Sequence, residues 1–453
     1  MPNDEIDELR VDARPEKRFF ISMLVKDIEL IPAIVDLVDN CVDGARSIRP
    51  EADFSGLWVD LRASPERFII TDNCGGIPTD VARQYAFRFG RPAEFEGIRG
   101  SVGQFGVGMK RALFKLGKWF EIESRTEHSY FLLRQDVDEW AAETDPDWTF
   151  RFIEVDDTYS LEGSAEAGTT ITVEQLHQGV AADLDRAGTI SRLRADLKLR
   201  HQDALQRGLR LVLNGESLAG GRPTLLLSED FCPIKKHFPV NVNGDQVEVE
   251  LAAGIVRGRD GDRDEGVAED FQRPGDAGWY IFCNGRLLLA ADRSRLTGWG
   301  TVAAAYHPQY RNFRGYAYVN AADSSLLPWN TTKTGVDEDS LVFRAVQQEM
   351  ETALKRVQAV INRLKKERQD REPEERPLEA AVRAATEIPL DELPESETMR
   401  VPPLPPPVQG NRRRIAYLVN RGDFDRVAET LGVDSAPDVG RETFNYYLRT
   451  QVQ

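Results

Sequence analysis

The acidic and amide side chains of residues 31–46 (IPAIVDLVDNCVDGAR) have the types and spacing of a site that binds a metal ion and activates water. Asp36, Asn40 and Asp43 recur at i, i+4 and i+7, so a helix would align them in a polar stripe beside an apolar one. Their oxygens are ligands that Mg²⁺ prefers, and a carboxylate one turn before the amide could deprotonate a water. A solvated helix edge is the alternative, and this stretch alone leaves both open.

Two later stretches place glycines after an apolar run and before a helix. Residues 68–78 (FIITDNCGGIP) read as a strand that ends in Asp72 and is followed by Gly75 and Gly76. Residues 99–112 (RGSVGQFGVGMKRA) read as a glycine-rich loop that runs into a helix. An acidic helix, a strand with Asp-Asn-Cys-Gly-Gly and a Gly-x-x-Gly-x-Gly loop therefore follow one another in a fixed order.

This ordered set resembles the GHKL ATPases, the family of DNA gyrase B, the ninety-kilodalton heat-shock chaperones, histidine kinases, MutL and the MORC proteins. Residues 36–45 (DLVDNCVDGA) resemble the acidic helix of the family, and residues 103–108 (GQFGVG) resemble the chaperone version of its glycine box. The resemblance covers roughly residues 15–340 and is strongest over 28–112. It implies binding of ATP with Mg²⁺.

For the acidic helix, the resemblance implies three roles. Asp36 stands where many members have a Glu that activates the attacking water. Because Asp is one methylene shorter, both slow hydrolysis and binding with negligible hydrolysis stay open. Asn40 matches the residue that ligates the Mg²⁺ bridging the phosphates. Asp43 matches a neighbouring acid that supports the site, with a hydrogen bond on the helix face as the alternative.

The resemblance also implies the contacts of the base. Asp72 matches the Asp that accepts a hydrogen bond from the adenine amino group, and a carboxylate, which only accepts, selects a base with an exocyclic N–H donor. Gly76 matches the Gly that lets the backbone pass beneath the base. Cys74 stands where the family has another Gly, so Gly75 would have to absorb the turn. Thr169, in GTTITV, matches a Thr that hydrogen-bonds a phosphate.

In the glycine box, the resemblance implies that backbone N–H groups approach the phosphates at the start of a helix. The residues expected to bind ATP there are Gly103, Gln104, Phe105, Gly106, Val107 and Gly108. Lys110 could meet a phosphate as a point charge. Residues 78–102 match the mobile lid of the family.

A basic residue far downstream is the expected second catalytic group. Transducer domains of these ATPases often extend a Lys or Arg to the γ-phosphate, and Lys333, in PWNTTKTGVD (328–337), is the candidate. A solvated turn is the alternative, and Arg286 is the next second-domain cation to test. This stretch also resembles prokaryotic relatives of MORC, which often lie beside DNA-modification or defence genes.

Composition bounds the class of protein. The 453 residues carry a net charge of −17, which gives no overall basic footprint for nucleic acid. The four cysteines are widely spaced, so neither a zinc site nor a disulfide framework is indicated. No apolar run approaches the roughly 18 residues of a membrane span, and the acidic N-terminus is unlike a signal peptide. We expect a cytoplasmic protein without a membrane partner.

The alternation of helices and strands predicts an α+β fold with a Bergerat-type α/β sandwich followed by a transducer-like α+β domain. The expected order is an N-terminal arm (1–18), a GHKL ATPase domain (19–182), a transducer-like domain with a long C-terminal helix (183–366), a charged and Pro-rich linker (367–411) and a small helical interaction module (412–453). The last segment is too short to bury much core by itself.

The function expected from the resemblance is a Mg²⁺-dependent ATPase. ATP would close the lid and join two copies into a homodimeric clamp, MORC-like and associated with DNA or with a DNA-modification or defence partner. An ATP-gated clamp with negligible hydrolysis and a heat-shock-type chaperone are the alternatives. A histidine kinase would need a phosphoacceptor helix, and none of the five His residues lies in a convincing one upstream of the site.

Overall fold

The structure, a computed structural model, describes most of the chain. It covers residues 16–26, 28–51, 53–89, 108–142, 148–161, 166–242, 244–257, 277–330, 335–404, 415 and 417–452. Residues up to Pro402 form one compact unit, and residues from Pro403 onward form another. Within the first unit we call residues 16–218 the first domain and residues 224–402 the second domain.

An eight-stranded mixed sheet organises the first domain. Its strands are β1 (Trp58–Ala63), β2 (Phe68–Asp72), β3 (Gly117–Arg125), β4 (Tyr130–Asp136), β5 (Phe152–Asp156), β6 (Gly168–Leu176), β7 (Arg210–Leu213) and β8 (Glu216–Leu218), in the order β5-β4-β3-β6-β2-β1-β7-β8. β1 and β7 run parallel, with Val59 beside Leu211, while the other pairs are antiparallel. The sequence-based prediction ended the first domain at residue 182. In the structure this domain extends to residue 218, because the parallel pairing of β7 with β1 brings β7 and β8 into the first sheet.

Eight α-helices accompany this sheet in the described part of the chain. They are α1 (Lys17–Lys26), α2 (Leu30–Ile48), α3 (Thr79–Val81), α4 (Gly108–Leu116), α5 (Val137–Ala142), α6 (Gln178–Leu184), α7 (Ala187–Arg200) and α8 (Gln202–Gln206). Pro32 is tolerated in α2 because it lies in the first turn, where no intrahelical N–H bond is lost. Ala33, Ile34 and Val38 of α2 are fully buried in the core of this domain. Burying an Ile or Val side chain stabilises the fold by about 1.5–3 kcal/mol. These contacts therefore hold α2 against the core of the domain.

The second domain is built on a five-stranded sheet. The strands of this domain are β9 (Thr224–Leu227), β10 (Ile234–Val242), β11 (Asp245–Ile255), β12 (Gly278–Cys283), β13 (Arg286–Asp292) and β14 (Phe313–Asn320). The sheet has the order β10-β11-β14-β12-β13, and β9 lies outside it. The long helix α9 (Leu341–Asp370) begins after Ser340, whose hydroxyl accepts from the amide of Phe343. α9 buries Val346, Met350 and Leu354 in the core that it shares with the sheet.

The segment after α9 differs from the linker that the sequence predicts over 367–411. α10 (Pro377–Ala384) and β15 (Thr386–Pro389) follow, and β15 pairs with β9. Leu390 and Leu393 are buried in the second domain. The sequence-based reading followed the charged and Pro-rich composition of this stretch and did not use its few apolar residues, whose partners lie far away in sequence.

The C-terminal unit contains α11 (Arg421–Leu431) and α12 (Ala436–Gln451), each with a polar cap at its start. Phe444, Tyr446 and Tyr447 of α12 are exposed. The α+β class predicted from the sequence is confirmed for the chain. None of the helices in the described residues is long and apolar enough to cross a membrane.

Candidate functional site

Helix α2 buries three carboxylates next to the core. Asp36, Asp39 and Asp43 are 4%, 1% and 6% exposed, whereas Asn40 is exposed. The sequence singled out Asp36 and Asp43 but not Asp39, which lies three residues after Asp36. Buried carboxylates are costly unless they are paired or hydrogen-bonded, so the surroundings of these three decide what the helix can do.

Asp36 is held by two arginines from different parts of the chain. Arg111 of α4 places Nη2 2.8 Å from Asp36 Oδ2, and Arg286 of β13 places Nη1 3.3 Å from Asp36 Oδ1. Arg286 belongs to the second domain and is 2% exposed. The residue that the resemblance assigns to water activation is therefore ion-paired on both oxygens.

Asp39 completes the same cluster. Its carboxylate pairs with Arg286, and its Oδ1 lies 3.1 Å from Nε2 of the buried His201. The other ring nitrogen, Nδ1, lies 3.2 Å from the carbonyl oxygen of Leu197. Burial lowers the pKa of His201 to about 4. The neutral ring carries one N–H, so near neutral pH it donates to one of these two acceptors.

The other end of α2 also reaches the second domain. Arg46 Nη1 lies 3.4 Å from Asp43 Oδ1, and Arg46 Nη2 donates to the carbonyl oxygen of Asn284 at 2.6 Å. Asn284 precedes Arg286 in the turn between β12 and β13. Asp43 is therefore ion-paired with Arg46 of the same helix. The prediction that Asp43 supports a nucleotide site stays a prediction.

The turn after β2 brings two chain segments very close together. Gly75 and Gly76 both have positive φ, at 98° and 72°. A Cβ on Gly76 would lie 2.1 Å from the carbonyl oxygen of Arg125, and one on Gly168 would lie 1.9 Å from that of Asp72. Gly75 and Gly76 thus share the turn after the Cys74 position, as the sequence required of Gly75.

Asp72 sits among neutral donors. Its Oδ1 accepts from the amide of Cys74 at 2.8 Å, its Oδ2 accepts from the thiol of Cys41 at 3.4 Å, and the amide of Thr169 also contributes a hydrogen bond. Burial raises the pKa of Asp72 to about 6, and these hydrogen bonds oppose the rise. The Thr169 hydroxyl lies 3.0 Å from that of Ser124. Thr169 thus lies beside Asp72, and its contact with a phosphate stays a prediction.

The glycine box is described only at its end. Gly103, Gln104, Phe105, Gly106 and Val107 lie outside the described residues, as does Lys333. Gly108 begins α4, and a Cβ there would lie 3.4 Å from Asp36 Oδ2. The last glycine of the box thus approaches the candidate base.

Lys110, two residues into α4, is 1% exposed. Its Nζ donates to the carbonyl oxygens of Ala86 and Arg88, each at 2.7 Å. These carbonyls belong to the segment that the sequence matches to the lid. A contact between Lys110 and a phosphate stays a prediction, and it would compete with these hydrogen bonds.

Sequence reasoning missed Asp39, Arg111 and His201, and it named Arg286 only as a second choice. Arg111 carried a weak signal, since it directly follows Lys110 in the helix after the glycine box. Asp39 carried a second weak signal, because it lies three residues after Asp36 and positions i and i+3 share one face of a helix. His201 and Arg286 had no local signal, since their partners are far away in sequence.

The donor set fits a magnesium ion held mainly by a substrate. Among the described residues, no group of three or more His, Cys, Asp or Glu side chains is arranged to hold a metal ion. Asn40, exposed on α2, offers one amide oxygen. Mg²⁺ commonly takes one or two protein ligands and completes its shell with phosphate oxygens and water, so a single Asn40 ligand is compatible with it.

Comparison with known proteins agrees with this geometry. Residues 28–159 match a family described as histidine kinase-, DNA gyrase B- and HSP90-like ATPase. No curated protein matches the chain. The matched segment contains α2, the turn after β2 and the beginning of α4, which are the elements that carry Asp36, Asp72 and Gly108. Residues 28–159 therefore form an ATPase domain of the histidine kinase, DNA gyrase B and HSP90-like (GHKL) family.

Proposed function

We propose that this chain binds ATP with Mg²⁺, hydrolyses it, and uses the cycle to open and close a homodimeric clamp. The observation that carries the proposal is that α2 touches both ends of one site. At one end Asp36 lies beside the last glycine of the box, where a Cβ on Gly108 would be 3.4 Å from Asp36 Oδ2, and five residues later Cys41 contacts Asp72 at the end of β2. One rigid helix thus joins the expected phosphate end to the expected base end.

At the base end, Asp72 would accept a hydrogen bond from the adenine amino group. The carboxylate is preorganised by donors from Cys41 and Cys74. Guanine presents a carbonyl oxygen at the corresponding position, so the same carboxylate would repel it and favour ATP over GTP. The close backbone approach at Gly76 leaves no room for a side chain at that position of the turn.

At the phosphate end, Asn40 would ligate Mg²⁺, which would neutralise phosphate charge during transfer. Asp36 would accept the proton of a water whose oxygen attacks the γ-phosphorus, while the bond from that phosphorus to the bridging oxygen of ADP breaks. The products are ADP and phosphate. Phosphoryl transfer is catalysed chiefly by positioning and by charge stabilisation, and Arg111, which pairs with Asp36, would supply a positive charge at this end of the site.

A clamp with negligible hydrolysis is the second candidate, and the two ion pairs of Asp36 favour it. A carboxylate bound to two guanidiniums must exchange at least one of them before it can receive a proton freely. Single-turnover phosphate release separates the two candidates: a hydrolase releases about one phosphate per bound ATP, whereas a binding clamp releases almost none.

Association into a dimer rests on the resemblance to the GHKL ATPases, and any role with DNA or in defence rests on the resemblance of residues 328–337 to prokaryotic MORC relatives. The test uses the full chain. Calorimetry should show ATP binding with magnesium, and light scattering should show a doubling of mass with a non-hydrolysable ATP analogue. A further mass increase on addition of duplex DNA would support the MORC-like role, while an unchanged mass in every condition would contradict the clamp.

A further inference from the structure

Arg286 crosses from the second domain into the acid cluster of the first. It is the first residue of β13, directly after the Asn284-Gly285 turn, and it pairs with both Asp36 and Asp39. This contact spans 250 residues of chain. An arginine from a different domain therefore lies at the candidate base, and what it does there rests on the proposed ATPase function.

The second sheet holds the turn that carries Arg286. Asn284 and Gly285 both have positive φ, at 46° and 73°, as a tight two-residue hairpin turn requires. The Asn284 side chain donates to the carbonyl oxygen of Ala321 at 3.1 Å and accepts from its amide at 3.0 Å. The amide of Asn284 donates to the carbonyl oxygen of Val319 at 3.0 Å. The backbone at Arg286 therefore moves with the second domain.

The same turn is pressed against helices of the first domain. Arg46 of α2 donates to the carbonyl oxygen of Asn284 at 2.6 Å. A Cβ added to Gly285 would lie 2.4 Å from Asp203 Oδ2 and 2.9 Å from Arg46 Nη2. Small displacements of the second domain would therefore be transmitted directly to the Arg286 guanidinium.

The two arginines that pair with Asp36 do not use all of their N–H donors. The buried Nε groups of Arg111 and Arg286 have no hydrogen-bond partner among the described residues. A buried donor without a partner destabilises the arrangement that contains it. This destabilisation offsets part of the free energy gained from the ion pairs. A second arrangement of the same groups therefore need not be much higher in free energy than this one.

We propose that Arg286 is a positioning residue that restrains Asp36, so that the second domain limits water activation until Arg286 leaves the carboxylate. While the pair is made, a water must compete with a guanidinium for Asp36 Oδ1. When the second domain shifts, Arg286 remains paired with Asp39, and Asp36 becomes available to the water. Hydrolysis would then follow the position of the second domain.

The first test replaces Arg286 in the full chain and measures steady-state ATP hydrolysis. In Arg286→Gln the side chain stays polar but loses its charge, and we expect kcat to rise by about five-fold or more, the lower range of site-to-site coupling. KM should change by less than about two-fold because the variant does not alter the base end or the glycine box. Arg286→Lys retains the charge and should return kcat toward the wild-type value. Adding Asp36→Asn to Arg286→Gln should abolish the gain.

A second test moves the turn without deleting a buried charge. In Gly285→Ala the added Cβ would lie 2.4 Å from Asp203 Oδ2 and 2.9 Å from Arg46 Nη2, so the turn and these side chains must separate, which should loosen the contact beside Arg286 and raise kcat in the same direction. Gly215→Ala is the matched control, because Gly215 follows Asn214 in a similar Asn-Gly turn with φ 81° and a Cβ there would meet nothing within 4 Å. The control carries the same backbone strain and should leave kcat unchanged.

The outcomes separate this inference from the proposed function. A wild-type chain that binds no ATP would remove the proposed function itself. If the chain binds ATP, and folded Arg286→Gln and Gly285→Ala both show wild-type or lower kcat, Arg286 does not restrain Asp36. Should Arg286→Gln fail to fold, Gly285→Ala measured against Gly215→Ala decides alone. A wild type with undetectable turnover that becomes active in these variants would be the strongest support.

Discussion

The two ends of the site bury a carboxylate in opposite ways. Asp36 is compensated by two guanidiniums, whereas Asp72 accepts from a thiol and from backbone amides, which carry no net charge. Burial raises the pKa of Asp72 to about 6. The environment of each group, more than its residue type, sets its proposed role: on the inference above the first would change partners with the position of the second domain, and the second would present an acceptor held by its own donors.

The largest expected effect is at the ion-paired end. Asp36→Asn should retain ATP binding and lose on the order of 100-fold or more in kcat, because an amide cannot take the proton of the attacking water. Steady-state hydrolysis and calorimetry measure the two properties. Asp138→Asn, an exposed carboxylate paired with Lys118, is the control and should behave as wild type. Wild-type turnover in Asp36→Asn would show that Asp36 is not the base.

A second large effect is expected from Lys333, the downstream cation that the resemblance assigns to the γ-phosphate. Lys333→Ala should lower kcat by on the order of 100-fold if its charge stabilises the transferring phosphate. ADP lacks the γ-phosphate, so ADP affinity should stay unchanged, and analogue-induced dimerisation should weaken. Lys355→Ala, on the exposed side of α9, is the control. Unchanged turnover and unchanged dimerisation would remove Lys333 from the site. A loss at Lys333 would also contrast in sign with the gain expected for Arg286→Gln.

The neutral end should respond in binding rather than in turnover. Asp72→Asn should weaken ATP by about ten- to hundred-fold, since a lost hydrogen bond to a charged group costs about 1.5–3 kcal/mol. The amide can also turn its NH₂ toward the base, which would reduce the preference for ATP over GTP. Calorimetry with both nucleotides is the measurement. Equal ATP affinity in variant and wild type would remove the adenine assignment.

The smallest effect is a pH dependence that belongs to the Asp72 end. Because the pKa of Asp72 is raised to about 6, the accepting carboxylate is formed above that pH and is lost below it. ATP affinity should therefore fall by about ten-fold between pH 7 and pH 5, one factor of ten per unit below the pKa. Phosphate groups titrate in the same range, so Asp72→Asn is the control. An identical pH profile in the variant would show that Asp72 does not cause the loss.

The same shift has the opposite sign for folding in the absence of nucleotide. A carboxyl whose folded pKa lies above its unfolded value of 3.8 binds more protons in the folded state between the two values. The stability that it contributes is present at low pH and is lost as the pH rises toward 6. Asp72 thus weakens the free protein near neutral pH, where it is ionised, and a bound donor such as the adenine amino group would offset part of that cost.

The local features of the site could be predicted from the sequence. The period of the apolar residues predicts α2, and Asp72 at the end of an apolar run followed by two glycines predicts the turn after β2. The long helix predicted at the C-terminal end of the transducer-like domain is present as α9. These features depend on residues within a few positions of one another, where helical spacing, strand ends and glycine conformations leave a readable pattern.

Only the tertiary structure decided which groups face the acidic helix. Arg286 meets Asp36 across 250 residues and His201 meets Asp39 across 162, so no spacing rule links them. The parallel pairing of β1 with β7 and the docking of β15 on β9 are non-local in the same way. The sequence alone determined which segments are expected to carry the chemistry. Packing between distant segments set the counter-charge of each carboxylate, because a buried ion is governed by whichever groups the fold brings within a few ångströms.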